Sequence, residues 1–586
     1  MAKTLIIYGS LARQRVEKEV SDWSSSVVIE VDAILPKRLK KLGPKVLSGP
    51  IFWDVEFSTT MQSQVDQLLV DFLDETVKIE GLETSYEFRK ACLGITGRQM
   101  LVSHFVNFYQ ARQVLEEEPI EKIIVSVGSG VSVKAWQQIA EFHNLPIQVL
   151  SLDRSRPPFF WQIKRRFQRW QIKRNEKTLR NQKLRINKPL SIADKEGYFL
   201  CADPAVEKIL GASSENSSWR SAPKWNNPDT KKMELLQQKY IHWSELWWTE
   251  WLKTHPIAGR SPEHLILKEL CDWYCKNVYP HFATMLIQAT ECLKLLPPKL
   301  VLVGAMHGRS PLMWALAARG LNIKVAAYTL DDAINAQISF EPDLGLCDDI
   351  SRLELAKEAG MCENKLVMVK SHRRFPSQNE DIVRPKKTII LADTYYCGNL
   401  VSSRPILSAW AFAIFVEIAK SMPDYNFLIK PHPLRERPEM RWHYTGFHHL
   451  QHWTKELMLR ELELPQNIMV LKPEEKLADY LKTDVGLMIN IESYAVFEAF
   501  ASRVPVVSLT PLNSKMLVFE IMDKMGVYQY SSTAEGLSQL VKRNLEDTLY
   551  RKQQIDRQLD FLNAYYGESQ KTIMQAVETY AMNCGL

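Results

Sequence analysis

What this chain has little of narrows it first. Nine cysteines are scattered through 586 residues, and the closest pair, Cys271 and Cys275, has no second pair at metal-ligand spacing. That pattern excludes a disulfide framework and a paired-cysteine zinc site, and the thiols read as reduced ones of a cytosolic protein. Long apolar runs are missing too. The most apolar window, Ile406 to Ile418, is too short for a bilayer span and carries Glu417, so it reads as a buried helix. The N-terminus, MAKTLIIYGS, lacks the apolar run and small-residue cleavage site of a signal peptide. Charge of one sign is scarce as well. A formal net charge of +6 is small for this length, so nucleic-acid binding is not expected without a concentrated basic patch. Gly128-Ser-Gly130 has no third glycine, which leaves a tight turn rather than a dinucleotide fingerprint.

What is present is an ordinary globular composition on a chain long enough for two or more domains. Short β-branched runs alternate with helical stretches, the mark of βαβ units and parallel sheets. The runs are Thr4–Tyr8, Lys122–Val127, Ile147–Leu152, Leu300–Gly304, Lys324–Tyr328, Leu366–Val369, Thr388–Ala392, Phe427–Lys430, Ile468–Leu471, Val485–Ile489 and Val506–Leu509. The segment from Lys122 to Asp153 echoes that from Lys299 to Asp331: strand, small-residue turn, helix, strand ending near Asp. The echo is read as two βαβ units of one N-terminal sheet in preference to an old duplication.

Three segments interrupt this rhythm. Gly211 to Thr230 is rich in Ser, Asn and Pro and reads as a long surface loop. His372 to Lys387 has prolines, charges and no period, and marks the linker between two halves. Trp161 to Ile186 carries ten Lys and Arg against the single acid Glu176, with Phe159, Phe160, Trp161, Phe167 and Trp170 at or near its start. A basic helix with aromatics at one end suits an anionic membrane surface, so contact is expected through about Phe159 to Arg185. The alternatives are a solvated basic helix packed on an acidic face, or nucleic acid. Trp243, Trp247, Trp248 and Trp251 share a helix face and read as core.

Two constellations carry chemistry. In Asn426-Phe-Leu-Ile-Lys-Pro-His-Pro433 a short strand ends in Lys430, and two prolines stiffen the chain around His432. Ligands of open α/β sheets bind at the carboxyl ends of strands, where a cation and an imidazole suit phosphate oxygens. Further on, a short helix over Leu477–Asp484 leads into the strand at Val485. A polar turn, Asn490-Ile-Glu-Ser493, follows, then a helix holding Glu498 and the strand before Leu509. Ser493 falls near a helix N-terminus, where N–H groups favour an anion, though such a serine is also an ordinary N-cap. Glu498 could reach a ribose diol.

This order of strand and KPHP, then the aspartate-led strand, serine, Glu-Ala and Pro-Val-Val, resembles the donor-binding half of capsule and surface-polysaccharide glycosyltransferases. That group includes bacterial sialyl- and Kdo-transferases and the CDP-glycerol glycerophosphotransferases. Pro342 to Ser371 is similar to the end of their first domain, and Thr388 to Asp393 to the start of their second; the match covers about 298–520. The resemblance implies an α/β protein of GT-B architecture, two Rossmann-like domains with parallel sheets facing a cleft, plus a basic helical insertion. The domains would be 1–375, the acceptor side with its insertion and loop at about 155–240, and 385–586, the nucleotide-sugar side. The terminal stretch from about Leu562 would cross back to the first domain.

Lys430, His432 and Arg435 would contact donor phosphate, Ser493 would bind phosphate and Glu498 the ribose. No metal or cofactor is implied beyond the nucleotide-sugar co-substrate. The expected reaction moves a sugar, from a CMP-sugar in preference to UDP or GDP, to a surface polysaccharide or lipid-linked glycan at the inner face of the cytoplasmic membrane. Glycerol-phosphate transfer and a silent assembly scaffold are the alternatives. The chain departs from the pattern where many relatives carry Gln-His-Gly, reading Thr329-Leu-Asp-Asp332, and it places Glu492 beside the phosphate turn. For the general base the candidates are His307, Asp331 and Asp332, each just past a strand, a place where Asp is also a common N-cap.

Overall fold

The computed structural model describes residues 3–8, 13–30, 35–48, 67–68, 77–92, 109, 111–126, 133–150, 198–211, 219–223, 230–255, 261–304, 309–328, 341–348, 350–358, 360–371, 387–393, 405–431, 462–472, 475–491, 493–509, 522–566 and 571–585. Among them the chain is α/β, with three parallel sheets in Rossmann-like units.

The first unit runs β1 (Lys3–Tyr8), α1 (Arg13–Glu19), β2 (Ser26–Glu30), α2 (Lys37–Lys40), β3 (Lys45–Ser48), β4 (Ile120–Ser126), α3 (Val133–Phe142) and β5 (Ile147–Leu150). Its order is β3-β2-β1-β4-β5. Val27–Ile29 and Ile123–Val125 are buried, as strands covered on both faces require. At its amino edge the ammonium groups of Lys3 (2.6 Å) and Lys45 (2.9 Å) clamp Glu118 and hold its carboxyl down at about 2.

The second unit holds β6 (Phe199–Cys201), α4 (Pro204–Gly211), β7 (Trp219–Ser221), α5 (Thr230–Thr254), α6 (Pro262–Asn277), α7 (Tyr279–Leu295), β8 (Leu300–Val303), α8 (Arg309–Gly320), β9 (Lys324–Tyr328), β10 (Leu344–Cys347), α9 (Ile350–Glu358) and β11 (Leu366–Met368). The sheet order is β11-β10-β9-β8-β6-β7. Helices α5 to α7 fill the space between the first two units: α6 packs on α3, and α7 on α8. Trp243, Trp247 and Trp251 are fully buried there, with centroid separations of 6.4 and 5.3 Å. Each ring contributes on the order of 3 kcal/mol by leaving water. The indole N–H of Trp243 donates to Val77 O at 2.8 Å.

The third unit comprises β12 (Thr388–Ala392), α10 (Pro405–Ser421), β13 (Asn426–Lys430), β14 (Ile468–Val470), α11 (Leu477–Thr483), β15 (Val485–Asn490), α12 (Val496–Ala501), β16 (Val506–Leu509), β17 (Gln529–Ser531), α13 (Ala534–Glu546), α14 (Thr548–Tyr566) and, finally, α15 (Ile573–Asn583). Its order is β14-β13-β12-β15-β16-β17. Helix α10 buries Phe412, Phe415 and Ile418, the buried helix expected of that apolar window. Thr533 caps α13, and a Thr572–Gln575 capping box opens α15. Helix α15 leaves the third unit and buries Ile573, Ala576, Val577 and Ala581 against the second, beside a Val369–Lys571 bridge. The crossing back expected of the terminal stretch is therefore made by α15, while α14 packs on α12 and α13 of the third unit.

Two expectations are corrected. Residues 1–375 carry two sheets and not one: the echoing units β4-α3-β5 and β8-α8-β9 belong to different sheets. Both sheets drain into one hydrophobic cluster through α5–α7, so no composition break separates them. The Gly211–Thr230 stretch is not wholly a loop. It contains edge strand β7, held by Trp219 stacked on Phe199 at 5.0 Å and by Arg220 over the Tyr198 ring at 4.7 Å. The basic segment through Phe159–Arg185 and the linker proper lie outside the described residues. None of the described helices is long and apolar enough to cross a membrane.

Candidate functional site at the third sheet's switch point

The order of the third sheet is that of two mononucleotide-binding halves, with the reversal between β12 and β15. Ligands of such sheets bind outside the carboxyl ends at that reversal. The register brings four residues into one row there: Lys430 opposite Ala392, Ala392 opposite Asn490, and Asn490 opposite Ser508. Alternation puts all four side chains on one face. Leu428, Ile390, Met488 and Val506, two residues earlier on each strand, belong to the cluster under α12, whereas Ile429, Leu391, Ile489 and Val507 belong to the opposite core. The row is buried: Lys430 is 6% exposed, Ala392 2%, Asn490 0% and Ser508 1%.

Lys430 Nζ donates to Pro431 O at 2.8 Å, and Asp393, buried just past β12, donates its N–H to Lys430 O at 3.1 Å. Glu475 is near enough to feel the Lys430 charge. Its carboxyl is held below the usual range first by the Tyr480 hydroxyl, then by the Lys472 N–H, with Lys430 adding a smaller pull.

The turn after β15 is closed by side chains. Ser493 donates its N–H to Asn490 Oδ1 at 3.1 Å, the Ser493 hydroxyl accepts the Ala495 N–H at 3.3 Å, and Val496 donates to Ser493 O at 3.2 Å. Ser493 thus serves its own turn. Helix α12 spans only six residues, so its dipole adds little at Ser493. Glu498 stands exposed in the first turn of α12. His307, Asp331, Asp332, His432 and Arg435 lie outside the described residues, as does Glu492.

The second sheet reaches this place through its own carboxyl edge. Asp348, just past β10, is buried with Arg352 of α9, to which it is ion-paired, and it accepts hydrogen bonds from Tyr328 (3.2 Å) and Ser371 (3.3 Å). The Arg352 guanidinium lies 5.5 Å from the centroid of the Tyr494 ring, in the turn after β15. Ile350 packs on the third unit's cluster. The carboxyl edges of the second and third sheets therefore meet.

At the second sheet's own reversal, between β6 and β8, stands Asp203. A Cβ on Gly304 would fall 2.1 Å from its Oδ2, so only glycine leaves that carboxylate its place. Asp203 also accepts the Val206 N–H at 3.4 Å, as the cap of α4. Burial pushes the neighbouring Cys201 thiol up to about 12, which keeps it protonated.

Sequence reasoning missed Asn490, Tyr494, Asp348, Arg352 and Asp203 as site residues. Asn490 lay within the quoted turn and Tyr494 just past it, but only sheet register shows that Asn490 shares a row with Lys430. Asp203 precedes Pro204 and reads as a helix cap.

No protein-family model matches the chain, and no curated protein matches it. Solved structures resemble it only distantly. UDP-GlcNAc 2-epimerase from Neisseria meningitidis, bound to UDP-GlcNAc, is 14% identical, with a TM-score of 0.38 over 66% of this chain and 100% of that one. A putative UDP-N-acetylglucosamine 2-epimerase from Listeria monocytogenes is 13% identical, with a TM-score of 0.38 over 66% and 98%. The glycosyltransferase SnogD from Streptomyces nogalater is 13% identical, with a TM-score of 0.37 over 66% and 100%. Chains this distant lend no residue role to this one.

Proposed function

We propose that the protein is a glycosyltransferase that moves a sugar from a nucleotide donor, held at the third sheet's reversal, to a glycan or lipid-linked acceptor on the second unit's side. One observation carries the reading. The carboxyl edges of two doubly wound sheets meet, and the row at the third sheet's reversal contains a buried cation, Lys430, and a buried amide, Asn490. An anionic ligand suits such a place, and a cleft between two such sheets suits a two-substrate transfer.

In this reading an acceptor hydroxyl attacks the anomeric carbon while a base takes its proton, and the nucleotide leaves with its phosphate stabilised by cations. Lys430, with His432 and Arg435, would meet the phosphate, and Glu498 the ribose. Ser493 would act by shaping the turn. The base would come from the second unit, from His307, Asp331 or Asp332, with Asp203 at that sheet's reversal as a further candidate. The resemblance to capsule transferases favours a CMP-sugar.

A thermal-shift panel of CMP, CDP, UDP, GDP and ADP on wild type and His432→Ala tests this. A bound nucleotide raises the melting temperature by mass action, by RT ln(1 + [L]/Kd) in free energy. Stabilisation by CMP or CDP alone, lost in the variant, supports the reading with its cytidine preference. A UDP or GDP response keeps the nucleotide site and removes that preference. With no response from any nucleotide, the assembly-scaffold reading takes first place.

A further inference from the structure

Asn490 is fully buried, and its carboxamide oxygen is already taken by the Ser493 N–H, yet its Nδ2 has no hydrogen-bond partner among the described residues. A buried amide nitrogen left this way is costly, and native proteins leave few of them without a role. It stands at the carboxyl end of β15, on the side of the reversal that faces β12. In the row, Ala392 stands between it and Lys430. Adjacent strands run about 4.8 Å apart, so Lys430 and Asn490 flank a gap of about 10 Å between Cα atoms over that small residue. Two donors of the row, the Lys430 ammonium and the Asn490 N–H2 group, thus stand on either side of Ala392, while the Ser508 hydroxyl beyond Asn490 donates to its backbone carbonyl.

We propose, resting on the nucleotide-binding reading of the third sheet, that Asn490 Nδ2 and Lys430 together bind a phosphate oxygen of the nucleotide above Ala392. Asn490 is then a ligand-binding residue and not only the closer of its turn. Its orientation is set by that turn: the Ser493 N–H holds Oδ1, which fixes which side of the carboxamide carries the N–H2 group. A nucleobase carbonyl would also accept from an amide, but beside a lysine the matching partner is an anion.

Asn490→Asp separates the two roles. The carboxylate still accepts the Ser493 N–H, so the turn survives, while the N–H2 donor is replaced by a negative charge. Inorganic diphosphate and CDP are titrated calorimetrically into the full-length wild type, Asn490→Asp and Lys430→Met, with the melting temperature of each free protein recorded. We expect wild type to bind diphosphate and both variants to bind it about tenfold or more weakly, the loss that follows removal of a hydrogen bond to a charged group. Asn490→Asp puts a carboxylate at a fully buried position, so its free melting temperature should fall, while the closed turn keeps the protein folded. If Asn490→Asp binds diphosphate as wild type does, Asn490 only closes its turn and the proposal fails. No diphosphate binding by wild type overturns it equally. Should Asn490→Asp prove unfolded, Lys430→Met decides: undiminished diphosphate binding there removes the anion row. A variant that loses diphosphate in a protein without transfer activity would sink the glycosyltransferase reading and leave the anion site standing. Nucleotide binding that ignores Asn490→Asp would do the reverse.

Discussion

Asp348 and Arg352 form a buried ion pair whose worth lies in where it points. An exposed pair contributes little, because water screens it and two long side chains must be ordered. This one is almost fully covered, and both Asp348 oxygens are engaged, one by Arg352 and the other by Tyr328 and Ser371. The network fixes the guanidinium under the Tyr494 ring, a contact worth about 0.5–2 kcal/mol depending on how dry it is. Replacing a whole buried pair by apolar groups is often harmless, but removing one partner strands the other charge. Asp348→Ala should therefore destabilise the protein by about 3–5 kcal/mol, read as a shift of the urea midpoint of the transition that includes the second unit. Asp348→Asn keeps one acceptor oxygen and so the hydrogen bonds on one side only, and should lose less than Asp348→Ala. Equal midpoints for wild type and Asp348→Ala would mean the carboxylate is not buried with its partner.

Among the elements, those legible beforehand were strands with an uninterrupted apolar run and a clear flank. All eleven expected strands form, with ends shifted by a residue or two, as at Ile120–Ser126 and Val485–Asn490. The missed ones are short or broken by polar residues that tertiary contacts satisfy. Strand β2 ends in Glu30, whose buried carboxylate takes the Leu35 N–H at 2.6 Å and the Lys40 ammonium at 3.2 Å. Strand β7 sits in a run rich in serine and asparagine and is held by its aromatic stack. Strand β10 has Gly345 at its centre, where a Cβ would meet a Leu366 methyl at 2.7 Å. Local propensity cannot register such partners.

Helix ends show the same dependence on distant residues. The end of α10 and the turn after it are reached by Asn467, whose Nδ2 lies 3.0 Å from Ala419 O in the helix, and 3.1 Å from Met422 O and 3.0 Å from Tyr425 O beyond it. That one half-buried amide ties the end of the most apolar helix to the start of strand β14, 48 residues on from Ala419. Asn467→Ala leaves those carbonyls to find water or go without, and should cost about 1–3 kcal/mol in denaturant titration. Asn467→Asp, which has no N–H to give, should cost at least as much. A neutral Asn467→Ala would show that solvent serves the carbonyls as well as the amide does.

Along the sequence the described residues form three doubly wound units, with the last helix returned to the second. The doubly wound class was legible because βαβ alternation is written in sequence, and so was the return of the terminal stretch. The count of sheets was not, because α5–α7 present apolar faces to both neighbours and leave no polar boundary. The candidate site was legible at Lys430, at the end of a β-branched run, and illegible at Arg352 and Tyr494, whose meeting depends on how two units stand against each other. The return of α15 bears on that stand. Its buried Ile573 and Val577 cover Leu344, Leu346 and Tyr328, on the strands that carry Asp348 and its hydrogen-bonding partner. Removing residues 571–586 uncovers that face at a loss of roughly 4 kcal/mol. The second unit should then melt first, as a separate transition several degrees below wild type in calorimetry, and an apolar dye should bind before it melts. Ala392 of the row belongs to a different cluster from the one α15 joins, so diphosphate binding should survive the truncation while the proposed sugar transfer, which would use both units, falls. A truncated chain that melts in one transition at the wild-type temperature would mean that α15 rides on the second unit without holding it.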